Sequence, residues 1–126
     1  SVRAYLVTLM DKEKEEKMTR TFVETPMFTK KWHELGLNDD DLMALQNRLL
    51  ENPKAGDAIK GTGGLRKIRI PYQEHGKRGG ARVLYVDIEI KEKIHLINVY
   101  TKKEQTDLSA EEKKAFAAII QILKEE

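Results

Sequence analysis

The chain has 126 residues, enough for one domain with a real hydrophobic core, and its mix of 40% hydrophobic and 35% charged residues argues against wholesale disorder. It contains no cysteine, which excludes disulfides, Cys-ligated zinc and thiol catalysis. Net charge is only +2 and no apolar run approaches membrane-spanning length, so neither a uniformly basic protein nor a membrane-embedded one is expected.

In chain order, residues 1–17 stand apart. Val2, Tyr5, Leu6, Leu9 and Met10 fit either an apolar helical stripe or a short strand, and a charge run over 11–17 follows. Met18 is a candidate start, so 1–17 read as an N-terminal extension, native or appended, and 18–126 as the domain proper. No signal-peptide pattern precedes it, and a cytoplasmic location is expected. Residues 20–24 predict a short strand. Thr25 and Pro26 then open a helix as cap and first-turn proline, with Phe28, Trp32 and Leu35 on one face and Gly36 as its stop. Asn38 caps a second helix whose three leading aspartates suit the positive end of its dipole. Its buried stripe is Leu42, Leu45, Leu49 and Leu50, and Asn52-Pro53 ends it.

A glycine-rich loop over 56–64 leads to a strand over 65–70. A polar loop, 72–80, leads to a long strand over 81–90, and a tight turn at Lys91-Glu92 to a third strand over 94–101. Short links between consecutive strands predict an antiparallel meander. The chain ends in a helix with a Ser109/Glu112 capping box and an apolar face of Phe116, Ile119, Ile120 and Leu123. The predicted order is β-α-α-β-β-β-α, a small α+β domain with the helices packed on one side of the sheet.

Charge is distributed unevenly. Between residues 53 and 105 bases outnumber acids, and the compensating acids cluster at Asp39-Asp40-Asp41 and Glu111-Glu112. The strand period of two puts Lys67 and Arg69 on one face and Ile68 and Ile70 on the other. Arg82 opens the next strand on the face of Leu84, Val86 and Ile88. Strand pairing that brings it to Lys67 and Arg69 makes a cluster of like charges, which suggests an anionic ligand. Tyr100 and Lys102 share parity at the end of the last strand, with Lys103 adjacent. Gly61-Thr62-Gly63-Gly64 lacks the Lys-Ser/Thr ending of a P-loop and precedes a strand, so tight turns explain those glycines better than nucleotide binding. The three histidines, His33, His75 and His95, show no metal-ligand spacing, so neither metal nor cofactor is expected.

Several blocks together carry a resemblance. They are Phe22-Val23-Glu24-Thr25-Pro26-Met27-Phe28-Thr29-Lys30-Lys31-Trp32, Leu49-Leu50-Glu51-Asn52-Pro53-Lys54-Ala55-Gly56, Gly61-Thr62-Gly63-Gly64-Leu65-Arg66-Lys67-Ile68-Arg69, Gly76-Lys77-Arg78-Gly79-Gly80-Ala81-Arg82-Val83-Leu84-Tyr85 and Val99-Tyr100-Thr101-Lys102-Lys103-Glu104-Gln105-Thr106-Asp107-Leu108-Ser109. Over residues 19–126 the chain resembles RelE/HigB-type toxins of bacterial type II toxin–antitoxin systems. The resemblance implies a RelE-like fold and an endoribonuclease (an mRNA interferase) that cuts messenger RNA in the ribosomal A site, against 16S ribosomal RNA, without a metal. In that reaction the ribose 2′-hydroxyl attacks the adjacent phosphate. It also implies a cognate antitoxin, through which alone DNA would be contacted. The implied catalytic residues are Lys67, Arg69, Arg82 and Lys102, with Lys103 as the competing register for Lys102. Arg69 and Arg82 would stabilise the phosphorane and Lys67 would assist the 2′-hydroxyl. Some relatives place a tyrosine or histidine after the last strand. Here none occurs from Lys102 to Leu108, which leaves Tyr100 as the nearest candidate acid and His75 as a distant one. Arg66, Lys77, Arg78, Lys103 and His75 are the expected further RNA contacts. A binding module of the same fold that does not cleave RNA is the alternative.

Overall fold

A computed structural model of the chain describes residues 2–13, 15–74, 77–78, 80–104 and 107–126, with the backbone alone for 11, 16, 73, 74, 77 and 78. Local sequence signals set the helix ends. Thr25 accepts a hydrogen bond from the Phe28 amide at 3.1 Å, so α1 (Pro26–Glu34) starts where expected, and Gly36 follows its end at φ +77°. The Asn38 and Asp41 side chains each accept from the other's amide, at 2.8 and 2.9 Å, to open α2 (Asp39–Glu51). Ser109 and Glu112 do the same for α3 (Ala110–Glu125). Each such cap satisfies amides that the helix itself leaves unpaired and stabilises by about 1 kcal/mol.

Six strands form one sheet: β1 (Arg3–Asp11), β2 (Glu16–Glu24), β3 (Asp57–Ala58), β4 (Leu65–Ile70), β7 (Ala81–Ile88) and β8 (Lys93–Thr101). The short strands β5 (Gln73–Glu74) and β6 (Lys77–Arg78) pair separately within the 72–80 loop. The order across the main sheet is β1-β2-β8-β7-β4-β3. Strands β2 and β8 run parallel, and every other pair in it is antiparallel. The expected meander is therefore β4-β7-β8, joined edge-on to an N-terminal hairpin.

That hairpin resolves the two readings of residues 1–17. They supply a strand, because Tyr5, Val7 and Leu9 alternate inward onto the core while Leu6 and Met10 face solvent. The strand expected over 20–24 extends back to Glu16 because β1 pairs along its whole length. Tyr5 also donates to the buried Glu24 carboxylate, which Thr29 contacts at 2.8 Å, while Gln46 donates to the Tyr5 oxygen at 2.8 Å. Burial and then the Glu24 contact push the Tyr5 phenol well above its ordinary value. The long strand ends at Ile88 rather than at residue 90. A 3-10 turn over Glu89–Lys91 takes over, with Glu92 in the left-handed region at φ +51°.

The α+β class holds, but the helices do not all lie on one side. α1 and α2 cover the face built from Phe22, Ile68, Val83, Tyr85 and Leu96. α3 covers the opposite face, where Leu65, Leu84, Val86 and Ile88 meet Ile120, Phe116 and Leu123. The reason lies in β7, where residues of both parities are apolar from Val83 to Val86. A strand apolar on both faces needs a layer on each.

The loop between α2 and β4 is held by side chains on the sheet. Tyr85, fully buried, accepts from the Gly56 amide and donates to the Pro53 carbonyl, both at 2.8 Å. A Cβ on Gly56 would lie 2.8 Å from the Tyr85 ring and 2.9 Å from the Lys67 carbonyl oxygen, so only glycine fits there. Buried Thr62 donates to the Ile59 carbonyl at 2.6 Å and accepts from the Leu65 amide at 3.1 Å, which sets the start of β4.

Candidate active site on a cationic sheet face

The register of three strands assembles the site. Arg69 on β4 stands opposite Arg82 on β7, and Arg82 stands opposite Tyr100 on β8. The next row along is Lys67, Leu84 and Asn98. All six residues point to the α3 face of the sheet. A bulge after Leu84, where Tyr85 pairs with Leu96, restores the parity that places Asn98 and Tyr100 on this face. Arg69 Nε and the Arg82 guanidinium lie 3.0 and 3.3 Å from the position a Cβ would occupy on Gly80, so the two cations flank one point. Among the described residues the Arg82 guanidinium makes one weak hydrogen bond, to the Ala81 carbonyl at 3.4 Å. Among the described residues no carboxylate pairs with Lys67, Arg69 or Arg82. Like charges directly opposite in an antiparallel pair are destabilising. Holding them together without a counter-ion suits a phosphate, which accepts hydrogen bonds from forked guanidinium donors.

Beside these rows a cleft of about 390 Å³ is lined by Lys67, Leu84, Asn98 and Tyr100 from the sheet and Lys31 from α1. Glu104, Asp107, Glu112 and Lys113 complete its rim. Tyr100 is only 8% exposed. Burial raises its phenol above the ordinary value, Arg82 opposes the shift and Asp107 adds to it. The phenol therefore keeps its proton at neutral pH and can only donate it, as a general acid must. Lys31 forms an ion pair with Glu104, whose carboxylate also accepts from the Thr101 amide at 3.2 Å and hydroxyl at 3.0 Å. These contacts, Lys31 foremost, hold the Glu104 carboxyl below the usual carboxylate range. They also fix the turn that follows β8. Lys31 reaches the site because Thr25, while capping α1, donates to the Ile97 carbonyl at 2.7 Å and pins the helix to β8.

Among the described side chains, Arg66 and Lys102 do not join this face. Arg66 has the opposite parity and spends its guanidinium on the Gly56 carbonyl at 2.7 Å and the Lys54 carbonyl at 3.3 Å, so it braces the loop. Lys102 does not share the parity of Tyr100, because β8 ends at Thr101. Lys102 and Lys103 stand exposed in the turn beyond it. His75 lies outside the described residues, and Lys77 and Arg78 are described only as the backbone of β6. Strand period alone would put His95 and Val99 on one face, and the structure separates them. The bulge sends Val99 into the α1/α2 core, whereas His95 stays half-buried opposite Val86. Sequence reasoning missed Lys31, Asn98, Glu104 and Asp107. Lys31, Glu104 and Asp107 lie in the blocks that carry the family resemblance, but nothing local aimed them at one cleft.

Fold and site together define a small α+β domain with a cationic row, unpaired by any carboxylate among the described residues, beside a buried tyrosine. Residues 19–125 match the family model described as RelE toxin of RelE / RelB toxin-antitoxin system, and the chain belongs to that family. It is thus the toxin component of a toxin–antitoxin pair, with a cognate antitoxin as its partner. The strand β1 and the first residues of β2 lie outside the match. Among the described residues no helix is long and apolar enough to cross a membrane.

Proposed function

We propose that this toxin is a ribosome-dependent endoribonuclease that cuts messenger RNA in the A site by attack of the ribose 2′-hydroxyl on the adjacent phosphate. The observation that supports it most is the single register row of Arg69, Arg82 and Tyr100, with Lys67 one row away and no described carboxylate neutralising the cations. Arg69 and Arg82 bind the scissile phosphate and stabilise the charge of the pentavalent state. Lys67 stabilises the developing charge on the 2′-oxygen. Tyr100 delivers its proton to the departing 5′-oxygen. The products are a 2′,3′-cyclic phosphate and a 5′-hydroxyl, and no cofactor enters. Lys102 and Lys103, exposed on the turn beside the row, contact the RNA or ribosomal RNA backbone, and the antitoxin silences the protein by covering this face.

The test is a translation extract given the wild-type protein, Lys67→Ala or Arg82→Ala, with mRNA 5′ ends mapped and 3′ ends assayed for cyclic phosphate. Cuts that need translating ribosomes and vanish in both variants are expected. Cleavage of naked RNA would remove the ribosome as an essential partner. Intact mRNA with ribosome binding retained would make the protein a binding module.

A further inference from the structure

The cationic face contains no group that can take the proton of the attacking hydroxyl. A guanidinium and an ammonium are donors only, and a phenol held protonated is a donor as well. The acceptors that line the cleft are therefore decisive, and most are already engaged. Asn98 gives its side-chain oxygen to the Val99 amide at 2.9 Å. Glu104 is occupied by Lys31 and Thr101. Glu112 accepts from the Ser109 amide at 2.9 Å in the capping box. That leaves Asp107, which precedes α3 and lines the same cleft as Lys67 and Tyr100. Among the described residues its carboxylate has neither a hydrogen bond nor an ion pair.

We propose that Asp107 is the general base of the reaction, so that Asp107 and Tyr100, which line one cleft beside Lys67, form the acid–base pair at the phosphate held by Arg69 and Arg82. This rests on the endoribonuclease reading. The 2′-oxygen bonds to phosphorus as its proton passes to the Asp107 carboxylate. The bond from phosphorus to the 5′-oxygen breaks as the Tyr100 phenol protonates that oxygen. Solvent then returns a proton to the phenolate and takes one from the carboxylic acid, so the enzyme is regenerated without a co-reactant. Arg82 faces Tyr100 across the strands and Asp107 shares its cleft, and the two charges act on the phenol in opposite senses. The charged and titratable groups that share the cleft with Asp107 are Lys31, Lys67, Tyr100, Glu104, Glu112 and Lys113.

The experiment uses programmed ribosomes carrying a defined mRNA, with single-turnover cleavage by wild type, Asp107→Asn, Asp107→Glu and Tyr100→Phe. A second mRNA carries sulfur in place of the bridging 5′-oxygen at the cut, so that its thiolate leaves without needing a proton. Asp107→Asn is expected to lose about 10²- to 10⁴-fold in rate. It should also lose the acid-side fall of the pH–rate profile, while Asp107→Glu recovers part of the rate and ribosome binding is unchanged. The sulfur substrate should rescue Tyr100→Phe and leave Asp107→Asn slow. Wild-type rate in Asp107→Asn, rescue of that variant by sulfur, or an unchanged acid limb would each overturn the assignment. If wild type itself produces no cyclic-phosphate ends, the endoribonuclease reading fails first.

Discussion

Replacing Arg82 by glutamine removes one charge from the Arg69–Arg82 pair while keeping a side chain of similar reach. The two cations face each other across β4 and β7 and flank the same point beside Gly80. Arg69 is exposed and Arg82 half-exposed, so the medium between them is close to water. At a separation of about 6 Å, Coulomb repulsion in water is about 0.7 kcal/mol. That agrees with the roughly 0.2–1 kcal/mol scale of cross-strand pairs. Arg82→Gln should therefore stabilise the free protein by that amount, a rise in melting temperature of about 1–4 °C at low salt for a chain of this size. The gain should shrink on adding salt, which screens the repulsion. Cleavage should move the other way, falling about 10²- to 10³-fold with the loss of a cation from the phosphate site. Differential scanning calorimetry at two ionic strengths and the ribosome cleavage assay read the two effects. A variant that melts several degrees lower would show that Arg82 is a structural residue, and the argument for an anionic ligand would fall with it.

Two further outcomes test the surrounding architecture. Tyr85→Phe leaves the buried Gly56 amide and the Pro53 carbonyl without their partner, a loss of about 1–3 kcal/mol that urea denaturation would detect. Unchanged stability would show that the loop does not depend on this contact. Burial, then Lys93, holds the His95 imidazole below its ordinary value of 6.5. The unfolded chain thus binds the proton more tightly, and His95 contributes stability that is present above about pH 6.5 and is lost as pH falls through the lower folded value. The stability difference between wild type and His95→Asn should therefore change between pH 8 and pH 5.5, and a constant difference would refute it.

What could be read from the chain was whatever depends on neighbours in sequence. The caps at Thr25, Asn38 and Ser109 and the stop at Gly36 need only residues within one turn, and all appear where expected. The facing of Lys67 and Arg69 away from Ile68 and Ile70 follows from strand period alone. The length of β2 was not legible, because β1 pairing extends it beyond what its own residues indicate. Nor was the position of α3. The apolar residues of both parities in β7 did signal two covered faces, but short connections suggested one.

The sequence by itself determined which residue types line each strand and helix, since φ/ψ preference, capping and side-chain period act over a few residues. Tertiary structure alone decided which of those residues meet. The bulge after Leu84 sets the parity of Tyr100 and Val99, the register of β4 on β7 sets Arg69 against Arg82, and the docking of α1 on β8 brings Lys31 to Glu104. Each depends on packing between segments distant in the chain. One residue of slip reverses every facing in a strand, so the site exists only once the whole sheet has closed on its two cores.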